Sequence, residues 1–359
     1  MSAVLEIPPS PRPPGPIGGP AAWKGPDIDR DRRWLRTFSD AELAELDRAV
    51  REHFAAGREM ADISPATFRL PTLARTLTSV LDTVLRGVGF TLLRGFPVER
   101  YSTAEAAVAY LGIGAHFGSF RSQNAKGHLL GHVRDLGMDI AKPTTRYYQT
   151  NRQLEYHTDS CDIVGLLCLR TAKSGGASRL VSSVTLHDEM LRRRPDLWAQ
   201  LFNPMPTDRR GEIPPGMKPW FDMPVFNWHG GELSTIYAGQ YIRSAQKNFA
   251  EARRLTDAER EALDLLDALT NDPAIHLSMD FRPGDMQFVH NHQVMHSRTD
   301  FEDWPEPERR RHLLRLWLAP TGARELPPAY AQRYGSLTPG DRGGIVTRET
   351  TLTFVLEPQ

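Results

Sequence analysis

Cysteine, lysine, net charge and long apolar runs are all scarce in this chain of 359 residues. Its two cysteines, Cys161 and Cys168, are too few for a disulfide framework and suit a reducing, cytoplasmic compartment. Six lysines stand beside 38 arginines, an excess read as codon bias with some guanidinium forks serving carboxylates. Basic and acidic residues both total 44, so the formal charge is zero. That balance excludes the basic footprint of a dedicated nucleic-acid or anionic-membrane binder. No apolar run reaches the roughly 18 residues of a membrane span. No basic stretch leads into an apolar segment near Met1, so secretion is not expected. What remains is 40% hydrophobic and 25% charged with a mean hydropathy of −0.44, the composition of a globular cytoplasmic enzyme.

Two regions stand apart from the body. Residues 1–22 read as a flexible or polyproline-like arm, because Pro8–Pro20 holds seven prolines and three glycines. Residues 23–359 read as one domain. Within it, the Pro-, Gly- and aromatic-rich stretch around 204–245 reads as a long loop insert that could act as a lid. Capping boxes at Ser39–Glu42, Ser102–Glu105 and Thr256–Glu259 open three helices. Strands are expected at Val88–Leu93, Cys161–Leu169, Arg179–Val184, Ile275–Phe281, Met286–His290 and His312–Leu318. Short strands divided by turns, with flanking helices, favour a mainly β sandwich or jelly roll.

Three segments could carry chemistry. In His157-Thr-Asp159, residues two apart on a strand share a face, so an imidazole and a carboxylate can converge. If Tyr147–Glu155 stays extended, Asn151, Gln153 and Glu155 lie on that same side. The second segment holds His290, Asn291, His292, His296 and Arg298, with no glutamate in place for a zincin site. The third is Arg311-His-Leu-Leu-Arg315-Leu-Trp317. Its arginines lie either on a half-exposed strand or on one covered on both sides, and periodicity does not choose. Two histidines and a carboxylate make the facial triad of non-haem iron oxygenases, and a cation fifteen residues after His296 suits the far carboxylate of a chelating 2-oxo acid.

These residues resemble the taurine dioxygenase-like (TauD/TfdA, clavaminate synthase-like) Fe(II)/2-oxoglutarate dioxygenases. The likeness rests on His157-Thr-Asp159, Gly175-Gly176-Ala-Ser178, Asn291, His296-Ser-Arg298, Arg311 and Arg315, and it runs from about Val88 to Ala319. It implies a double-stranded β-helix (jelly roll) with flanking helices and iron between the sheets. It also implies His157, Asp159 and His296 as ligands, with Arg311 and Ser178 on 2-oxoglutarate. Arg315 falls where some members grip an acidic substrate group, and Asn151 and Gln153 are further substrate candidates. Fe(II), 2-oxoglutarate and O2 are the implied cofactors, and 2-oxoglutarate becomes succinate and CO2 as a C–H bond is oxidised. The expected substrate is a small, anionic molecule and the expected outcome hydroxylation. A zinc hydrolase on the same triad and a non-catalytic organic-acid-binding jelly roll are the alternatives. The roles of His290 and His292, and any homo-oligomer, stay open.

Overall fold

The computed structural model describes residues 7–139 and 145–357. Its larger sheet has the order Leu35–Thr37, Phe90–Arg94, Met286–His290, Ile163–Arg170, His312–Ala319 and Ser119–Phe120, with Leu130–Val133 also paired to His312–Ala319. Every pairing in it is antiparallel except Leu35–Thr37 with Phe90–Arg94. The smaller, antiparallel sheet runs Leu277–Met279, Ser178–Ser182, Val294–Arg298 and Leu154–His157. The chain crosses between the sheets over and over. Leu154–His157 leads to Ile163–Arg170 and back to Ser178–Ser182, and Met286–His290 leads to Val294–Arg298. This is the double-stranded β-helix expected from the sequence.

Alternation along the strands sorts side chains into layers. Phe90, Leu92, Val164, Val289 and Trp317 of the larger sheet meet Leu180, Leu277 and Val294 of the smaller one in the sandwich interior. Leu314, Leu316, Leu318 and Phe288 point the other way, into a core shared with helices Asp40–Ala55, Leu73–Arg86 and Thr103–Ala115. Val181 and Met295 reach a third cluster under helices Ser183–Arg193, Pro195–Gln200 and Asp257–Thr270. All of His312–Ala319 is buried, so that strand is covered on both faces, and Arg315 within it and Arg311 just before it are buried as well.

All three capping boxes form, with Ser39, Ser102 and Thr256 each accepting from the backbone of its paired glutamate. Several boundaries differ from expectation. The strand expected to reach Val184 stops at Ser182, whose hydroxyl accepts from the Thr185 amide and starts a helix. Helix Leu73–Arg86 takes no cap from its own N-cap residue Thr72; the Glu45 carboxylate, from another helix, accepts from the Thr72 and Leu73 amides, so its start left no local signal. The 204–245 stretch is not a structureless loop. It contains the hairpins Met205–Asp208/Trp220–Met223 and Phe226–His229/Glu232–Thr235, then helix Gly239–Asn248. Gly230 and Gly231 turn the second hairpin at φ +57° and +80°, a left-handed pair that favours glycine.

The Pro-rich segment carries no helix or strand, and it lies against the body. The Ser10 amide donates to the Phe202 carbonyl, and the Ile17 and Gly18 amides donate to the Asp188 carboxylate. Trp23 is buried in the sandwich core, its indole N–H donating to the Val88 carbonyl.

Candidate metal centre and the cavities beside it

Register brings the two histidines together. His157 ends its strand directly opposite His296 in the antiparallel ladder, and the rings lie 4.3 Å apart between centroids. Asp159 arrives differently from the expected strand alternation, because the strand ends at His157. Asn291, at the corner between the sheets, does the aiming. Its side-chain oxygen accepts from the Asp159 amide at 2.8 Å, and its nitrogen donates to the carbonyls of Asp159 and Cys161. Asp159 Oδ1 then lies 3.6 Å from His157 Nε2, and Oδ2 lies 3.8 Å from His296 Nε2. One ligand atom from each of the three residues falls within 4.8 Å of the others, a spacing that a single cation can fill.

The donor set is ready for a metal. His157 Nδ1 is hydrogen-bonded to the Glu155 carbonyl at 2.9 Å, which orients the ring and leaves Nε2 for a ligand. Burial and the neighbouring His157 hold His296 down at about 3, so it stays neutral. Burial pushes Asp159 up, yet Arg315, the two imidazoles and the Trp317 indole N–H together hold it below the usual carboxylate range. That indole donates to Asp159 Oδ2 at 2.8 Å.

Cavities open on two sides of the triad. The inner one is lined by His296, Ser178, Gln287, Arg298, Arg311 and Arg315 among others. Arg311 is 4% exposed, its Nη1 has no hydrogen-bond partner, and burial pulls its guanidinium down to about 10. No carboxylate answers this charge by an ion pair among the described residues; Asp303 accepts only from the Arg311 backbone N–H. Gly176, at φ +75°, leaves room for it, since a Cβ there would sit 3.1 Å from Arg311 Nε. Ser178 is buried, its hydroxyl 3.4 Å from Gln287 Oε1. Arg298 is spent on backbone, donating to the carbonyls of Thr150, Arg152 and Thr299.

The outer cleft is lined by His157, Asp159, Arg315, Trp317, Tyr148 and Tyr241, with Arg146, Glu212, Gln240 and Arg333 at its walls. Arg315 borders both cavities. Its Nε donates to Gln123 Oε1 at 2.7 Å, Nη1 lies 3.6 Å from Asp159 Oδ2, and its plane sits over Tyr148 and Trp317. Asn151 and Gln153 do not join the site. The backbone turns at Tyr147–Gln149 and becomes a strand only at Leu154, which leaves both side chains exposed. His292 belongs to a buried cluster beneath the site, with Nε2 2.8 Å from Asp162 Oδ1 and Arg342 on the same carboxylate. His290 bonds Gln293 within its own turn. Arg243 pairs with Asp264 and Asp267, away from the cleft. Sequence reasoning missed Arg146, Glu212 and Arg333, which lie in irregular or very short segments with no periodic signal.

A model of the TauD, TfdA family, described as taurine catabolism dioxygenase, matches residues 48–317. The chain belongs to the TauD/TfdA dioxygenase family. The dioxygenase is 30% identical over 330 residues to FR-33289 synthase of Streptomyces rubellomurinus, covering 89% of this chain and 95% of that one. It is 29% identical over 316 residues to the taurine hydroxylase-like protein SAT17 of Stachybotrys chartarum, covering 84% and 79%. Among solved structures it resembles asparagine oxygenase with Fe(II), hydroxyasparagine and succinate (TM-score 0.62, 18% identity, 80% and 93% covered). It also resembles the non-haem iron oxygenase OrfP with Fe and alpha-ketoglutaric acid (TM-score 0.58, 16% identity, 79% and 93% covered). At those identities the structural likeness speaks for the fold. The enzyme is an oxidoreductase of the Fe(II)/2-oxoglutarate class, and the clustered His157, Asp159 and His296 donors and the unpartnered Arg311 Nη1 fit those cofactors. Neither the zinc hydrolase nor the non-catalytic jelly roll accounts for this membership. No helix among the described residues is long and apolar enough to cross a membrane.

Proposed function

We propose that His157, Asp159 and His296 hold the ferrous ion, that Arg311 and Ser178 bind the distal carboxylate of 2-oxoglutarate, and that the outer cleft presents a small anionic molecule for hydroxylation. The observation that carries this reading is the buried Arg311 guanidinium, left without a carboxylate on the inner side of the triad. An unpaired buried cation is costly, and a dicarboxylate entering that cavity relieves it. When bound, iron with 2-oxoglutarate and O2 supplies the oxidising power, and 2-oxoglutarate leaves as succinate and CO2.

The chain's own residues do the rest. Asn291 aims Asp159, Trp317 and Arg315 hold its carboxylate charged, and the Glu155 carbonyl sets the His157 ring. Arg315 stands between the cavities, held by Gln123 and beside Asp159, and forms part of the wall of each. Glu212, Gln240 and Tyr241, all from the 204–245 segment, border the outer cleft and serve as its cover. The anionic substrate class is supported by the arginines of that cleft and by relatives named for taurine, a sulfonate, and for uridine-5'-phosphate. Two buried free thiols suit a cytoplasmic setting.

Anaerobic addition of Fe(II) and 2-oxoglutarate should produce a visible metal-to-ligand charge-transfer band, abolished by His157→Ala. A metal-loaded wild type with no band would refute the assignment. Substrate-stimulated succinate release across a panel of small acids then identifies the substrate.

A further inference from the structure

The outer cleft continues into a second cavity, and the two share Thr158, Ser160, Glu212, Ala238, Tyr241 and Arg333. Arginines surround this combined chamber with hydrogen-bonding capacity left over. Arg333 uses its Nε on Ser160 Oγ at 2.7 Å, and its two Nη groups bond nothing among the described residues. Arg146 is tied to Glu212 at 3.1 Å and to the Arg210 carbonyl at 3.0 Å, which leaves Nη1 buried and without a partner. Arg209, in the adjoining cavity, is bound to the Lys218 and Gln332 carbonyls, and its Nη1 is also buried without a partner.

The carboxylates present do not use up this capacity. Glu212 is paired with Arg146 and also acts on the Arg333 charge, without a hydrogen bond to it. Asp208 accepts from the Arg210 amide, the Ser244 hydroxyl and the Asn248 amide. Arg315, which the family resemblance would make the substrate's anchor, is held by Gln123 and Asp159 and stacked between two rings. In the outer cleft itself the free donors are therefore at Arg333 and Arg146, beside Ser160, one residue after Asp159, while the free Arg209 Nη1 belongs to the adjoining cavity.

We infer that Arg333 and Arg146, rather than Arg315, form the subsite for the substrate's acidic head, and that this head is a tetrahedral oxyanion of the phosphoryl or sulfonate type. The subsite rests on the proposed oxygenase reading and specifies its substrate. The two Arg333 Nη groups, the Arg146 Nη1 and the Ser160 hydroxyl belong to three separate segments lining the cleft, and the three acceptor oxygens of a tetrahedral centre can meet one segment each, where a planar carboxylate has two oxygens to offer. Arg333 and Arg146 act here as substrate-binding residues.

The test is calorimetric titration of the metal-free, full-length protein with inorganic phosphate, sulfate or acetate at low ionic strength. Phosphate or sulfate should bind the wild type and Arg311→Gln alike, and at least tenfold more weakly to Arg333→Gln, with partial recovery in Arg333→Lys. The inference is overturned by equal binding to Arg333→Gln, by absence of binding to the wild type, or by acetate binding as tightly as phosphate. Loss of binding in Arg311→Gln would also overturn it, by showing that the anion sits in the inner cavity. The charge-transfer band, measured in parallel, keeps the two readings apart. Anion binding through Arg333 with no band would leave the subsite standing and remove the iron assignment, whereas a band without anion binding would do the reverse.

Discussion

Replacing Arg311 with methionine should move stability and co-substrate affinity in opposite directions. The guanidinium is 4% exposed, has an unpartnered Nη1 and is pulled down to about 10 by burial, with Cys168 and Asp303 opposing only in part. That displacement is worth roughly 3 kcal/mol against the charged form. For a cation the sign is unfavourable, since the penalty is full below about pH 10 and fades only as the pH rises further. Methionine removes the charge and keeps much of the volume, so the metal-free variant should gain about 1–3 kcal/mol, a few degrees in Tm. The same change removes the proposed partner of the 2-oxoglutarate carboxylate. Truncating one side of a buried, hydrogen-bonded charge pair costs about 2–5 kcal/mol, at least about 30-fold in affinity. Thermal unfolding under argon, with and without Fe(II) and 2-oxoglutarate, reads both effects at once. The reasoning fails if the variant is less stable than the wild type and is still raised in Tm by 2-oxoglutarate.

Other perturbations have defined outcomes. Asn291→Ala strips the Asp159 amide and two carbonyls of their partners, so Fe(II) affinity in anaerobic titration should fall about 10- to 100-fold; unchanged affinity would mean Asp159 needs no such clamp. Burial pushes Glu42 up, but Arg36, the Ser39 backbone N–H and Thr76 hold it at about 2, so its stabilisation is full above about pH 4.5 and is lost as the pH falls towards 2. Glu42→Gln should therefore cost about 1–2 kcal/mol at pH 7, discounted for the half-exposed Arg36, and urea midpoints of variant and wild type should converge at low pH. Chelation of the metal should leave the far-UV circular dichroism unchanged, because the ladder placing His157 opposite His296 is made of backbone hydrogen bonds; loss of β signal would contradict this.

Local chemistry made part of this enzyme legible in advance. A serine or threonine three residues before a glutamate carries its own helix start, so Ser39, Ser102 and Thr256 could be read directly. Met286–His290 was visible as a short apolar run between turn signals. His157, Asp159 and His296 were legible as candidate ligands through residue type and order, because a facial triad needs two imidazoles and a carboxylate, and the structure brings the three within reach of one cation. Tertiary structure decided the rest. Alternation places Arg311 and Arg315 on one face, but only coverage by the second sheet turns that face into a cavity wall. Asn151 and Gln153 fell outside because a turn at Tyr147–Gln149 broke the alternation that would have aimed them. Asp159 depends on Asn291, 132 residues away, and the outer cleft on Arg146, Glu212 and Arg333 meeting from separate segments. Hydrogen-bond partnership and burial are properties of pairs of segments, so they exist only once distant stretches of backbone have been brought together.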